Sequence, residues 1–285
     1  MSFVAVPRRF RFAPILALAA VAGFAAPTAA APITFVGHRA VYEMRLVGGG
    51  DRSPIAAATG RLVYELSGSA CEGWTSRFRM VTRLDPAEGV SRLTDLRTTS
   101  FEDGAGKTFD FVNENWVDRV EMLVSKGRAT RAADGRVRVR LERPHEKDVA
   151  LPTAALFPTA HMRAVVEAAE AGRSLADVDL YDGFDDGEKP YHTTVVIGRE
   201  LTGPDDTADE PAAVSDLLKG HRRWPVDISF FDPQKSTDGE ATPEYQLSFL
   251  VYDNGISRKM RFDYGSFVLR GDLSSLDSMP SAACP

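Results

Sequence analysis

Several segments of the chain alternate apolar and polar residues at every second position. Leu62, Tyr64 and Leu66 alternate with Arg61 and Glu65. The same alternation recurs at residues 77–84, 136–142 and 256–264. Because successive side chains of a strand point to opposite faces, each segment predicts a β-strand with one buried face and one solvated face. We interpret the many Arg residues of these strands as part of the solvated face and not as a ligand-binding site.

Turn sequences support an antiparallel arrangement. Asp253-Asn254-Gly255 separates Tyr245–Tyr252 from Ile256–Tyr264. Asn-Gly tolerates the positive φ angles of a type I′ turn, so this region predicts a β-hairpin. Further strands are expected at Ala40–Leu46, Leu93–Phe101, Thr108–Val112, Arg119–Val124, Thr193–Arg199 and Val226–Phe231. The predicted fold class is mainly β with a few helices, an antiparallel sheet of roughly ten to fourteen strands.

One helix is expected after Pro158. Apolar residues recur at helical spacing between Met162 and Ala169, Thr159 is a plausible N-cap, and Gly172 ends the pattern. We interpret this helix as a cover that packs on the sheet.

Residues 203–213 form an acidic segment with few apolar side chains. This composition predicts a mobile loop, and a second short helix is expected at Ser215–Leu218. Strand patterns on either side of the loop are alike, and no internal repeat is evident. We therefore expect a single domain from residue 31 to residue 285.

The N-terminus has the layout of a secretory signal peptide. Arg8, Arg9 and Arg11 precede an apolar stretch, Ile15–Ala26, which small residues follow. This stretch is shorter than the roughly 20 residues that span a bilayer. We predict export and cleavage near residue 30. The Arg pair also fits a twin-arginine signal, although Arg11 occupies a position where that signal prefers an apolar residue.

Removal of this segment makes the protein more acidic. The chain has 34 basic and 40 acidic residues, and three of the basic ones lie in residues 1–30, so the remainder has a net charge of about −9. No basic stripe suggests nucleic-acid binding, and anionic membrane surfaces would repel such a protein. We expect no membrane span in the mature chain.

The chain has two cysteines, Cys71 and Cys284. In an oxidising compartment an even number of cysteines suggests disulfide bonding, and two allow one connectivity. The predicted bond would fix the C-terminal end of the chain, which otherwise frays. A redox-active pair would more often be spaced CxxC.

Catalytic motifs are missing from the sequence. It contains no GxSxG, GxxxxGK[ST] or HExxH motif. The histidines show no metal-ligand spacing, and we expect each to be a surface or capping residue: His38, His145, His161, His192 and His221. Asp182–Glu188 resembles half of a calcium loop, but Phe184 and Thr193 occupy ligand positions, so a simple Asp-Gly turn explains it better. We predict no metal and no cofactor.

A family resemblance rests on several short blocks. They are His38–Tyr42, Gly60–Tyr64, Ser67–Trp74, Tyr181–Gly183 and Val196–Gly198. With the late Cys284, they resemble the EipB family of periplasmic cell-envelope-integrity proteins across essentially the whole mature chain. The resemblance implies a β-spiral fold, a broken antiparallel barrel with a Cys71–Cys284 disulfide. It also implies a periplasmic location in Gram-negative bacteria, a role in envelope integrity and stress resistance, and no known catalysis.

Three functions follow from these observations. The leading hypothesis is a non-enzymatic periplasmic protein that binds other envelope proteins. The alternative is a carrier or sensor that binds lipid or lipoprotein acyl chains on an apolar concave face, for which the candidate residues are Phe109, Phe111, Phe230, Phe249 and Phe262. The third is a hydrolase assembled in space around His192 or His221.

Overall fold

Fourteen strands form one antiparallel sheet in the part of the chain that the computed structural model describes, residues 33–48, 53–152, 154–235, 241–280 and Cys284. Residues 33–285 form one compact unit. The predicted signal peptide lies outside the described residues. The strands are β1 (His38–Gly48), β2 (Ile55–Ser69), β3 (Gly73–Pro86), β4 (Arg92–Glu102), β5 (Thr108–Val117), β6 (Val120–Arg131), β7 (Val137–Arg143), β8 (Lys147–Ala150), β9 (Leu175–Leu180), β10 (Tyr191–Ile197), β11 (Arg223–Phe231), β12 (Tyr245–Tyr252), β13 (Ser257–Asp263) and β14 (Val268–Ser278).

The sheet order follows the chain and leaves the sheet unclosed. Each strand pairs with its neighbours in sequence except β8 and β9, which are the two edges, and β1 pairs with β14. Helix α1 (Pro158–Glu170) connects these edges. Leu156 extends the β9 edge, because its N–H donates to the carbonyl of Asp179 at 2.7 Å and its carbonyl accepts from Tyr181 at 2.8 Å. The predicted mainly-β, antiparallel broken barrel is confirmed, whereas β8, β9 and β14 were not predicted.

The alternation predicted from sequence separates the two faces of the sheet. Leu62 and Leu66 on β2 are buried. Arg79 on the outer face of β3 contacts Asp95 of β4, with 2.9 Å between Nη2 and Oδ2. Hydrogen bonds from Arg79, together with Arg97, lower the pKa of Asp95 to about 2. Arg79 and Arg97 therefore form ion pairs across the solvated face, as expected, whereas Arg258 of β13 is buried.

Helix α1 begins differently from the prediction. Phe157, and not Thr159, occupies the N-cap position and provides no side-chain hydrogen bond. The carboxylate of Glu102, at the end of β4, instead accepts hydrogen bonds from the N–H groups of Thr159 at 2.8 Å and Ala160 at 3.1 Å. A residue distant in sequence thus satisfies N–H groups that a helix leaves free. Among the described residues, no helix is long and apolar enough to cross a membrane.

The β12–β13 hairpin is present, but its turn is not of type I′. Gly255 has a φ of +85°, whereas Asn254 is not among the residues with positive φ in the described chain. The Gly255 N–H donates to the Tyr252 carbonyl at 2.9 Å. Asn254 serves another purpose, since its Nδ2 donates to the carbonyl of Leu217 at 2.8 Å and so ties a neighbouring loop to the hairpin.

The acidic segment 203–213 is anchored to the sheet, contrary to the predicted mobile loop. Glu210 is 1% exposed and pairs with Arg258 of β13. The short helix is a 3₁₀ turn at Pro211–Val214, earlier than the predicted Ser215–Leu218. The acidic composition suggested a solvated loop. The sequence alone does not show that the buried cation Arg258 lies against this segment.

Candidate functional site

The inner face of the sheet surrounds an apolar cavity of about 520 Å³. A second cavity of about 240 Å³ adjoins it and shares Tyr64, Phe78 and Leu247 as lining residues. Pro158, at the start of α1, borders both. The larger cavity has the size of a small-molecule site, which typically measures about 300–1,000 Å³.

The walls of the larger cavity come from the inward positions of the alternating strands. Phe78 and Met80 of β3, Leu96 of β4 and Leu247 of β12 are among its apolar lining residues. The hydroxyls of Ser76 and Ser100 lie 2.8 Å apart and hydrogen-bond to each other. Because one hydroxyl donates to the other, this part of the cavity presents less polar surface to a ligand.

The cavity also has a polar, aromatic part. Asp182, Asp185, Tyr191 and Glu244 line it, and the Tyr191 hydroxyl donates to Oδ2 of Asp185 at 2.7 Å. Burial raises the pKa of Asp182 to about 6, and the neighbouring Asp185 adds to the shift. A carboxyl group with this pKa is still mostly ionised at neutral pH, so this part of the wall is negatively charged.

Four aromatic rings converge around the same carboxylates. Phe230 and Tyr245 stack with 4.2 Å between ring centroids. Tyr191 approaches Tyr245 edge-on at 6.3 Å, and Tyr264 lies 6.4 Å from Tyr245. All four line the larger cavity. The site therefore combines an apolar trough with a cluster of aromatic and acidic groups.

The five phenylalanines predicted as ligand-binding residues separate into two groups. Phe109, Phe230 and Phe262 line the larger cavity. Phe111 lies behind that wall, stacked on Phe109 at 5.6 Å and edge-on to Tyr181 at 5.8 Å. Phe249 packs in the cluster that includes the buried face of α1. Neither Phe111 nor Phe249 lines the two interior cavities.

Sequence reasoning did not identify the tyrosines of the site. Tyr191 and Tyr245 are the first residues of β10 and β12, and Tyr264 follows the last residue of β13. Aromatic residues at strand ends were a usable signal, but sequence does not show that these ends meet. Asp182 was noticed as part of a possible calcium loop and of the Tyr181–Gly183 block, but not as a ligand-binding residue.

The Asp-Gly segment forms a turn in which two carboxylates accept backbone N–H groups of the same segment. Oδ1 of Asp182 accepts the N–H of Phe184 at 3.0 Å, and Oδ1 of Asp186 accepts the N–H of Glu188 at 3.0 Å. Gly183 and Gly187 have φ angles of +70° and +75°, which glycine adopts without strain. In the described ranges, no three His, Cys, Asp or Glu side chains are grouped to hold a metal ion.

Two histidines are buried, contrary to the expected surface positions. His38 is 1% exposed, and His161 is 3% exposed with its Nε2 2.8 Å from Oγ1 of Thr193. Burial lowers the pKa of His161 to about 4. Both side chains face the core of the protein. The scattered positions of the histidines along the sequence gave no indication of this.

The histidines considered for hydrolysis each contact one carboxylate. His192 Nδ1 lies 3.0 Å from Oδ1 of Asp179, and His221 Nδ1 lies 2.5 Å from Oδ1 of Asp253. Within the ranges that the structure describes, neither ring has a second hydrogen bond to a Ser, Thr or Cys side chain. Neither histidine lines the interior cavities.

Cys71 and Cys284 form a disulfide, with 5.6 Å between their Cα atoms. The bond joins the C-terminal end of the chain to the turn between β2 and β3. It lies outside the lining of the two interior cavities, so its contribution is to the fold.

Comparisons with known proteins agree with this architecture. The family model described as EipB-like matches residues 29–280. The chain is 41% identical over 257 residues to the cell envelope integrity protein EipB of Brucella abortus, covering 90% of this chain and 89% of that protein. The crystal structure of a beta-barrel-like protein of the domain of unknown function DUF1849 from Brucella abortus is similar with a TM-score of 0.78 and 40% identity, covering 87% of this chain and 100% of that one. These matches cover nearly the full length of the described fold, and the chain belongs to the EipB-like family.

Proposed function

We propose that this protein is an exported, non-enzymatic component of the periplasm that supports the integrity of the cell envelope through contacts with other envelope proteins. The observation that carries the proposal is the 41% identity, across most of both chains, with a protein named for cell envelope integrity. The signal-peptide pattern of residues 1–30 and the acidic net charge fit the same location.

Exposed apolar side chains support the proposal that this protein binds other envelope proteins. Val120 and Met122 are 61% and 62% exposed, and Leu93 is 42% exposed. Val120 and Met122 lie together at the start of β6, whereas the strand register places Leu93, on β4, on the opposite face of the sheet from Val120. Grouped apolar side chains of this kind often mark interaction surfaces.

The test is a deletion strain with complementation. We expect deletion to increase sensitivity to detergent, and expression of the full chain to restore resistance. A chain with Val120→Ser and Met122→Ser should restore it poorly. Leu175→Ser, a matched change at an exposed apolar residue of the β9 edge, should restore it fully. A deletion strain with wild-type resistance would refute the envelope role, and full rescue by the double variant would refute this partner surface.

A second candidate function is binding of an acyl chain, favoured by the apolar cavity of about 520 Å³. Thr98 lines this cavity, whereas Thr99, its neighbour on β4, is exposed on the other face. We expect Thr98→Trp to block binding of a fluorescent acyl-chain probe that carries no carboxylate, and Thr99→Trp to leave this binding unchanged. Equal binding by both variants, or no binding by the wild-type protein, would contradict a lipid role for the cavity.

A further inference from the structure

Aromatic and acidic side chains lie side by side in one part of the larger cavity. Binding of an acyl chain alone does not account for the acidic groups. Tyr191, Phe230, Tyr245 and Tyr264 turn their rings toward one region of the wall, with Tyr245 central among them. The face of an aromatic ring carries a negative quadrupole and attracts cations. Groups of such rings are typical binding sites for alkylammonium ions.

The structure already places one ammonium group against this cluster. Nζ of Lys189 lies 5.8 Å from the ring centroid of Tyr191. The same Nζ pairs with Asp232 and lies 3.8 Å from Oδ2 of Asp185. Lys189 is thus occupied by carboxylates next to the cavity, and it is not itself a lining residue.

Carboxylates outnumber ammonium groups at this place. Lys235 pairs with Glu244 and lies 3.9 Å from Asp232, so it too is shared between carboxylates. Asp182 has no ion pair among the described residues, and it lines the cavity. With Asp182, Asp185, Asp232 and Glu244 against two lysines, the region keeps a net negative charge.

We propose that the larger cavity binds a single-chain amphiphile whose polar end is an ammonium group. Its chain would lie along Phe78, Leu96 and Leu247, and its ammonium group would lie between the ring of Tyr245 and the carboxylate of Asp182. This inference rests on the acyl-chain function proposed above and adds the charge of the ligand. Free fatty acids fit poorly, because their carboxylate would face Asp182. Burial, and then the charge of Asp185, raise the pKa of Asp182, and a bound cation would offset both effects.

The test is calorimetric titration of the full-length mature protein at pH 7.5 with four compounds: decyltrimethylammonium and decanoate below their micellar concentrations, decanol below its solubility limit, and tetramethylammonium. We expect decyltrimethylammonium to bind about tenfold more tightly than decanoate, a clear difference in binding free energy. Asp182→Asn keeps the shape and the acceptor for the Phe184 N–H, and it should remove most of this preference. Asp227→Asn, which makes the same charge change on the exposed outer position of β11, should preserve it.

Each alternative result decides the question. Equal or tighter binding of decanoate, or equal effects of the Asp182 and Asp227 variants, would overturn the ammonium inference and leave acyl-chain binding in place. Tetramethylammonium binding as tightly as its decyl derivative would overturn the amphiphile, because the chain would then contribute nothing. Absence of binding by all four compounds would overturn this inference and the acyl-chain function together, without bearing on the envelope phenotype. Should Asp182→Asn unfold, Glu244→Gln tests the same charge and should also reduce the preference.

Discussion

Glu210 and Arg258 form an ion pair whose side chains are 1% and 0% exposed. The second carboxylate oxygen of Glu210 accepts the N–H of Lys259 at 2.9 Å and that of Leu273 at 3.1 Å. These two N–H groups belong to β13 and β14, beyond the last residues that pair between those strands. Glu210 thus satisfies backbone groups that the sheet leaves free, and it holds segment 203–213 in place.

Loss of the buried cation should strongly destabilise the fold. Arg258→Met leaves Glu210 buried without its partner, so we expect the free energy of unfolding to fall by about 3–5 kcal/mol. Urea denaturation measures the change. Arg61→Met is the matched control, because Arg61 pairs with Glu43 on the solvated face and should contribute at most about 1 kcal/mol. Equal losses in both variants would show that the buried pair has no special role.

The turn at Gly183 should not tolerate a side chain. Gly183 has a φ of +70°, and a Cβ atom there would lie 2.3 Å from Cδ2 of Phe111. Gly265 has a φ of +77° and open space around the same position. Gly265→Ala therefore tests backbone strain alone, at about 1 kcal/mol, and Gly183→Ala should lose about 1–3 kcal/mol more through overpacking. Thermal and urea unfolding of the two variants provide the comparison. A similar loss in both would mean that Phe111 moves aside freely.

Acid should destabilise the protein through His161. Thr193 donates its hydroxyl hydrogen to the Val178 carbonyl at 2.6 Å, so the His161 ring donates from Nε2 to Thr193. Its pKa is lowered by burial from 6.5 to about 4. A base with a lowered pKa contributes stability above the pKa of the unfolded chain, and this stability is lost as pH falls from about 6.5 through about 4.

The variant His161→Gln keeps a donor for Thr193 but does not titrate. We expect its stability, measured by urea denaturation from pH 7.5 to pH 4, to fall less than that of the wild-type protein. The full difference should approach roughly 3 kcal/mol below pH 4. Asp182, whose pKa is raised to about 6, acts in the opposite sense, since its contribution is lost as pH rises through about 6. The comparison with wild type removes this shared term, and parallel pH curves would contradict the assignment to His161.

Removal of the disulfide should weaken the fold without abolishing it. The bond closes a loop of 213 positions, and its loss by Cys71→Ser, by Cys284→Ser or by reduction should cost about 2–5 kcal/mol. A sheet of this size buries enough apolar surface to remain folded. The measurement is the Tm with and without reductant, together with thiol counting. Two free thiols in the air-oxidised native protein would contradict the bond, and an unchanged Tm after complete reduction would contradict its stabilising role.

Local sequence patterns predicted most of the strands of the sheet. The alternation around Leu62, the Asn-Gly turn before Ile256 and the apolar stripe of α1 each reflect the geometry of one element, which depends on neighbours in sequence. The antiparallel order followed for the same reason, because short turns join consecutive strands. β8 was missed because it has only four residues, whereas β9 alternates Ala176, Val178 and Leu180 with Asp177 and Asp179 and could have been predicted from its sequence.

Contacts between distant residues were decided by the tertiary structure alone. Glu102 caps α1 across 57 positions, Glu210 pairs with Arg258 across 48, and Asp182, Tyr245 and Tyr264 meet in one cavity. Each residue had an unremarkable interpretation in sequence, as a strand end, a solvated loop or a turn. Burial changes those interpretations, because a charge removed from water must find a partner, and only the folded sheet determines which charges are removed and which partners lie within reach.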